Sequence, residues 1–187
     1  YPQIVKAIEF AQNNLEWTKI LESKKQDILH QVAKNLAKRR GDLIGVATAE
    51  TGKTFAEIDG EVSEAVDFAR FYPYSVLKLQ QQNIKAKAKG TVLVISPWNF
   101  PIAIPAGGIL AALSAGNRVI FKPSSEAIFC AWELCKCFWD AGVPKSALQF
   151  IPSKGSDVSK ALHKQKVDAI IFTGGTDTAL DLYQNFL

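Results

Sequence analysis

Residues 91–101 read Thr91-Val92-Leu93-Val94-Ile95-Ser96-Pro97-Trp98-Asn99-Phe100-Pro101. The first five are apolar or β-branched and run without alternation, which suits a strand buried on both faces. The next residues turn abruptly to proline, a polar amide and aromatics. Residues 91–95 are therefore predicted as a strand, 97–101 as a corner and about 102–114 as a helix. Pro101 fits the first helical turn. Three more short apolar runs follow, at 118–121, 148–151 and 169–172. Helical stretches separate them, at about 126–141, 157–164 and 177–186. Gly116, Gly142 and Pro144 punctuate the returns from helix to strand. Strands of this kind joined by helical crossovers predict an α/β fold with a doubly wound parallel sheet of the nucleotide-binding type.

Ligands of such sheets collect beyond the carboxyl ends of the strands. Those ends are Ser96-Pro97-Trp98-Asn99, Lys122-Pro123-Ser124-Ser125, Pro152-Ser153-Lys154-Gly155 and Thr173-Gly174-Gly175. All four carry polar, glycine or proline chemistry, which fits one crevice.

The first third of the chain reads helical. Ile28, Leu29, Val32 and Leu36 fall on one face of a 3.6-residue period. Asp42 is a candidate N-cap for a segment through Ala49, and Gly52 would stop it. Residues 57–76 form a third helical stretch, with Val62, Ala65, Val66, Ala69 and Phe71 at mostly helical spacing. Pro73 is expected to bend or end it. Gln80-Gln81-Gln82-Asn83 marks a boundary. Beyond it Lys85, Lys87 and Lys89 alternate with Ile84, Ala86 and Ala88, a period of two that suggests an exposed strand.

The chain has 187 residues, 48% of them hydrophobic and 21% charged. These fractions exclude a disordered tail, a collagen-like repeat and a disulfide-stapled miniature domain. The formal charge of +4 (22 basic minus 18 acidic) is too small and dispersed to point to nucleic acid. No aromatics interleave the alternating lysines, so they read as a solvated ribbon rather than a strand-binding patch. No nucleic-acid partner is expected. Residues 91–116 carry no charge and are long enough to span a bilayer. Pro97, Pro101, Pro105 and Gly107-Gly108 interrupt them repeatedly, so no transmembrane segment is expected. Cys130, Cys135 and Cys137 cluster on one predicted helix and read as buried thiols in a reducing compartment, with no metal site. The opening residues show no secretory pattern, and a cytoplasmic location is expected. Methionine is absent even at position 1, so the chain is read as a piece of something longer.

No G-x-G-x-x-G is present. Ala47-x-x-x-x-Gly52-Lys53-Thr54 approaches a phosphate loop, but its first glycine is an alanine and the residues before it continue a helical pattern. Gly52-Lys53 is read as a helix C-cap. Asn99 offers an amide that can donate two hydrogen bonds, as an oxyanion site needs; an N-cap asparagine is the plainer reading. Lys122 with Ser124 and Ser125 could hold ribose hydroxyls, or be a solvated turn. Thr173-Gly174-Gly175 precedes a helix whose N-terminus can face an anion, or it is simply a tight turn.

Taken in order, Glu50-Thr51-Gly52-Lys53, Pro97-Trp98-Asn99-Phe100-Pro101, Gly116-Asn117, Lys122-Pro123-Ser124 and Phe172-Thr173-Gly174 resemble the aldehyde dehydrogenase superfamily over essentially the whole chain. Ile102-Ala103-Ile104, Glu133, and Ala141-Gly142-Val143-Pro144 with Gln149-Phe150-Ile151-Pro152 are most similar to its 1-pyrroline-5-carboxylate dehydrogenase branch. That branch includes the dehydrogenase half of bifunctional proline-utilisation enzymes. The resemblance implies oxidation of an aldehyde to a carboxylate with NAD, or NADP, as cofactor. L-glutamate γ-semialdehyde is the implied substrate, with other aldehydes or a non-catalytic dinucleotide-binding module as alternatives. It divides the chain into an N-terminal helical part of the cofactor domain (1–82), a bridging strand (83–90) and a Rossmann-like NAD(P)-binding part (91–187). It also implies a homo-oligomer, with 84–89 as one strand of a joining ribbon.

Residue by residue, the resemblance makes Asn99 the donor to the oxyanion. Pro97 and Trp98 line the cofactor channel, and Ile95 and Ser96 supply preceding backbone contacts. Lys122 binds the adenosine ribose, with Ser124 beside it. Ser125 stands where the family often has a glutamate that disfavours NADP, and Glu126 comes one residue later. Gly155 lies over the adenine side, while Ser153 and Ser159 replace glycines common nearby. Thr173 and Gly174 lie beside the pyrophosphate, and Gly175 replaces a usual serine. The nucleophilic cysteine and the glutamate that activates water follow the threonine-glycine motif in family order. The chain reaches Leu187 without either, so the catalytic domain is expected to be absent from it. Two outcomes follow. The 187-residue polypeptide alone is expected to oxidise no aldehyde, which cofactor-reduction assays check at 340 nm. Lys53→Ala is expected to leave nucleotide binding unchanged, whereas loss of ATP binding would restore the phosphate-loop reading.

Overall fold

A computed structural model describes residues 1–84 and 86–186. Strands β1 (Thr91–Ile95), β2 (Arg118–Lys122), β3 (Leu148–Phe150) and β4 (Ala169–Phe172) form one parallel sheet in the order β3-β2-β1-β4. β1 pairs with β2 on one side and β4 on the other, Ile95 lying opposite both Lys122 and Phe172. Helices α6 (Ala103–Ser114), α7 (Ile128–Trp139) and α8 (Gly155–Leu162) make the three crossovers, and α9 (Thr176–Phe186) follows β4. The strands fall at the predicted places to within one residue at each end.

Strand alternation divides the core in two. Val92, Val94, Val119 and Phe121 face one side, against α6 and α7. Leu93 and Ile120 face the other, with Val158 and Ala161 of α8 and Leu182 of α9. Gly108 lets α6 settle onto the sheet: a Cβ there would lie 2.9 Å from Val94 Cγ1.

The N-terminal helices are α1 (Pro2–Asn13), α2 (Glu16–Lys19), α3 (Glu22–Lys38), α4 (Arg40–Thr51) and α5 (Phe55–Gln81). α3, α4 and α5 extend the first core, over α6 and α7. α1 does not join them. Its buried Ile4, Ile8 and Ala11 close the opposite face of the sheet beside α8. Trp17 of α2 is fully buried and donates its indole N–H to the Leu113 carbonyl, 3.2 Å away at the end of α6.

Four local expectations change. α4 begins at Arg40, with Arg39 as its N-cap, so Asp42 sits in the first turn rather than at the cap; there its charge complements the helix N-terminus. α5 runs straight through Pro73. A proline inside a helix costs about 3 kcal/mol, but Ile58, Val62 and Val66 of the same helix are buried at about 1.5–3 kcal/mol each. A capping box also holds its start, Thr54 Oγ1 accepting from Glu57 N and Glu57 Oε2 from Thr54 N. Phe71, though helically spaced, points to solvent. Finally, Lys85 of the expected 83–90 strand lies outside the described residues, and the rest of that stretch forms no strand. A strand needs a ladder partner, and none lies alongside among the described residues.

Gly52 ends α4 in the left-handed region with φ +72°, its N–H bonded to the Thr48 carbonyl at 2.9 Å, as the C-cap reading requires. No helix among the described residues is long and apolar enough to cross a membrane. At the amino edge of the sheet, Gly90 adopts φ +133° and its N–H donates to Asn117 Oδ1 at 2.9 Å. The Asp168 carboxylate packs directly over Gly90 and accepts from Thr91 N at 2.6 Å. A Cβ on Gly90 would meet that carboxylate as well as strain the backbone. Gly90→Ala is therefore expected to destabilise the fold by at least about 2 kcal/mol, read as a lower denaturant midpoint in urea unfolding.

Candidate functional site

The chain steps from β1 to β2 to β3 in one direction, then returns past them to place β4 on the far side of β1. The sheet's switch point therefore lies between β1 and β4, where the loops leaving their carboxyl ends part and open a crevice. Hydrogen bonds fix the mouth of that crevice. Thr173 N donates to the Ile95 carbonyl at 3.1 Å, and Ser96 N to the Lys122 carbonyl at 3.3 Å. A cavity of about 620 Å³ opens there, within the range of small-molecule sites. A depression of similar size, about 630 Å³, lies beside α3 among Lys24, His30, Lys34 and Arg70. It meets no strand end, so the convergence of polar loops from several strands favours the crevice.

From β1 the crevice takes Ile95, Ser96, Pro97 and Trp98; from beyond β2, Lys122 and Ser124. Gly155 opens α8 on its floor, and Thr173, Gly174 and Gly175 lead into α9 at its rim. Of the predicted site residues only Asn99 and Ser125 fall outside the lining. Ser125 is exposed. Asn99 is also exposed, one residue beyond Trp98 on the same corner.

The plainer readings can now be weighed. Asn99 is not an N-cap: α6 starts four residues later, after Ile102. Its first two N–H groups go instead to Glu61 of α5, Oε2 accepting from Ile102 N at 3.1 Å and Ala103 N at 3.2 Å. Pro101 accordingly precedes the helix rather than opening it, because the cap comes from another element. The Asn99 amide makes no hydrogen bond to any described residue, and its backbone carbonyl accepts from Lys53 Nζ at 2.7 Å. Lys122 is not a solvated lysine. Its stem is buried and its ammonium, at the cavity wall, donates to the Pro123 carbonyl at 2.6 Å. Burial pulls its pKa down, while the Glu126 carboxylate opposes that shift. Glu126 in turn accepts from the Ser124 hydroxyl, which holds its own pKa below the usual carboxylate value.

The crevice contains donors suited to an anion with sugar groups. A Cβ on Gly155 or Gly175 would meet nothing within 4 Å, so both glycines face open space. At Gly174 a Cβ would strike the Phe172 ring at 2.6 Å. The turn through Gly175 into α9 borders the same space, and helix N-termini favour phosphate. These residues fit a dinucleotide.

Sequence reasoning missed Ser156, Thr178 and Asp181, and noted Ser159 only as a replaced glycine. Ser156 and Ser159 lie three apart on α8, Thr178 and Asp181 three apart on α9, and each pair turns one polar edge into the cavity. That spacing was the available signal. Cys130, Cys135 and Cys137 are free and buried in α7. Burial pushes all three thiols up, Cys137 to about 12, which makes them poor nucleophiles. Glu50 closes the start of α7, accepting from Phe129 N at 2.9 Å and Cys130 N at 2.6 Å.

The profile of the aldehyde dehydrogenase family matches residues 2–186. The bifunctional protein PutA of Escherichia coli is 37% identical over 185 residues, covering 98% of this chain and 14% of its own length. The 1-pyrroline-5-carboxylate dehydrogenase of Anoxybacillus flavithermus is 33% identical over 181 residues, covering 90% of this chain and 35% of its own length. Among solved structures, the NADP-dependent glyceraldehyde-3-phosphate dehydrogenase of Bacillus halodurans, complexed with NADP, superposes over all of this chain and 43% of its own. The TM-score is 0.91 at 27% identity. Proline utilization A from Bdellovibrio bacteriovorus superposes with a TM-score of 0.88 at 31% identity, over 98% of this chain and 20% of its own. The chain thus spans about a seventh to two fifths of these relatives, and on its sequence, sheet order and switch-point crevice it belongs to the aldehyde dehydrogenase family.

Proposed function

We propose that this chain provides the dinucleotide-binding side, and the oxyanion donor, of an NAD(P)-dependent enzyme that oxidises an aldehyde to a carboxylate. The observation that carries the reading is the convergence of Ser96-Pro97-Trp98, Lys122 and Thr173-Gly174-Gly175 on one crevice at the switch point. L-glutamate γ-semialdehyde is the proposed substrate; the relatives named 1-pyrroline-5-carboxylate dehydrogenase and PutA support it.

The residues divide the work. Lys122, with Ser124 beside it, holds ribose hydroxyls by charge-assisted hydrogen bonds. Gly155 and Gly175 let the ligand approach the main chain, and the Thr173-Gly174 turn at the start of α9 faces its phosphates. The dinucleotide held by these residues would supply the hydride acceptor for the oxidation. Asn99, its amide unengaged, donates to the oxygen that becomes negative as the carbonyl is attacked. NAD is the proposed cofactor. With Ser125 rather than a carboxylate three residues after Lys122, NADP is also accommodated.

Calorimetric titration of the natural protein with NAD and with NADP tests the crevice. Lys122→Ala is expected to weaken the preferred cofactor about 10–100-fold. Asn99→Ala is expected to lower kcat about 100-fold or more with cofactor affinity unchanged. Tight dinucleotide binding without oxidation of any aldehyde would instead favour a non-catalytic binding module.

A further inference from the structure

The Pro97–Pro101 corner is held from outside the crevice by two charged side chains of the helical part. Lys53 follows the Gly52 turn, and its ammonium stands 2.7 Å from the Asn99 carbonyl and 2.5 Å from Glu61 Oε1. It also lies 4.1 Å from the centre of the Phe100 ring. The Glu61 side chain is 2% exposed. Its second oxygen takes both Ile102 N and Ala103 N.

Apart from the Lys53–Glu61 ion pair itself, each of these hydrogen bonds goes to main chain. Together they fix the corner at residues 99, 102 and 103 and leave the Asn99 amide unbound. Pro97 and Pro101 already restrict φ at the two ends. The remaining freedom lies at Trp98, Asn99 and Phe100, and Lys53 contacts the last two. A serine or aspartate at position 102 would cap α6 locally. The chain instead buries an ion pair, which contributes little net stability on average. What the ion pair adds beyond a cap is the link to the Asn99 carbonyl.

We propose that Lys53 and Glu61 are positioning residues for Asn99: they hold its backbone so that the free amide is preorganised toward the reacting oxygen. This rests on the oxyanion role of Asn99 proposed above. It also gives the phosphate-loop-like lysine a task unconnected with phosphate.

The test uses the natural protein with Lys53→Met and Glu61→Gln, singly and combined with Asn99→Ala. Glu64→Ala, an exposed residue of the same helix, is the control. Lys53→Met is expected to lower kcat about 10–100-fold, as a displaced group does, with the cofactor dissociation constant moving less than about threefold. Combined with Asn99→Ala it should add no further loss, because its effect passes through that amide. Lys53→Arg should restore part of kcat. Hydrogen-exchange mass spectrometry should show faster exchange over residues 96–104 in Glu61→Gln and Lys53→Met, but not in Glu64→Ala. A Lys53→Met loss that multiplies with Asn99→Ala, a parallel fall in cofactor affinity, or unchanged exchange over 96–104 would overturn the proposal. If the unaltered protein binds dinucleotide but oxidises no aldehyde, the enzymatic reading fails. The clamp itself then stands or falls on the exchange data alone.

Discussion

β1 carries the molecule. Like β2 it has hydrogen-bonded neighbours on both edges and buried side chains on both faces, and it alone of the two borders the switch point, between β2 and β4. That constraint determines the rest. A strand paired on both edges is locked in register, so the residue that leaves the sheet after Ile95 is locked as well. The loop beyond it cannot continue the ladder, because β2 and β4 diverge into their own turns. An open space at the sheet's switch point is the geometric result, and the polar residues of three loops border it.

The helical part acts on that space without entering it. Glu50 and Glu61 lie on α4 and α5, on either side of the Gly52 turn, yet their carboxylates close the starts of α7 and α6. Each takes two N–H groups that would otherwise lack a partner. One short turn between helices thereby sets where two crossover helices begin, and with them the loops that leave β1 and β2. A negative charge at a helix N-terminus stabilises it by roughly 0.3–1 kcal/mol at exposed sites and more when partly buried. The positional effect exceeds the energetic one, since the crevice depends on where those loops end.

Much of this was legible from residue order. Short apolar runs gave all four strands, most plainly β1 and β2, whose burial on both faces leaves no alternation to misread. The crevice followed from asking what stands at their carboxyl ends. Gly52 was readable as a cap because a left-handed C-terminal residue favours glycine. What escaped was tertiary. Nothing local to Ile102 shows that Glu61, 41 residues earlier, supplies its cap. Pro73 read as a breaker because local rules do not weigh the buried face of the same helix. The alternation at 84–89 mimicked a strand, but a period of two describes side chains and not hydrogen-bond partners. Thr54-x-x-Glu57 was visible as a capping box and was passed over.

The helix that opens the chain docks on the sheet's far face, and Gln12 reaches the Lys166 carbonyl across 154 positions of sequence. During synthesis this amphipathic segment leaves the ribosome well before its seat, built from β2 and α8, has been made. Ile4 and Ile8 must therefore wait, unsheltered, until that seat has been made. Contacts so distant in sequence slow folding, and apolar surface left uncovered meanwhile invites aggregation or chaperone capture. The vulnerability of this protein thus lies in the order in which its parts are made rather than in its finished core.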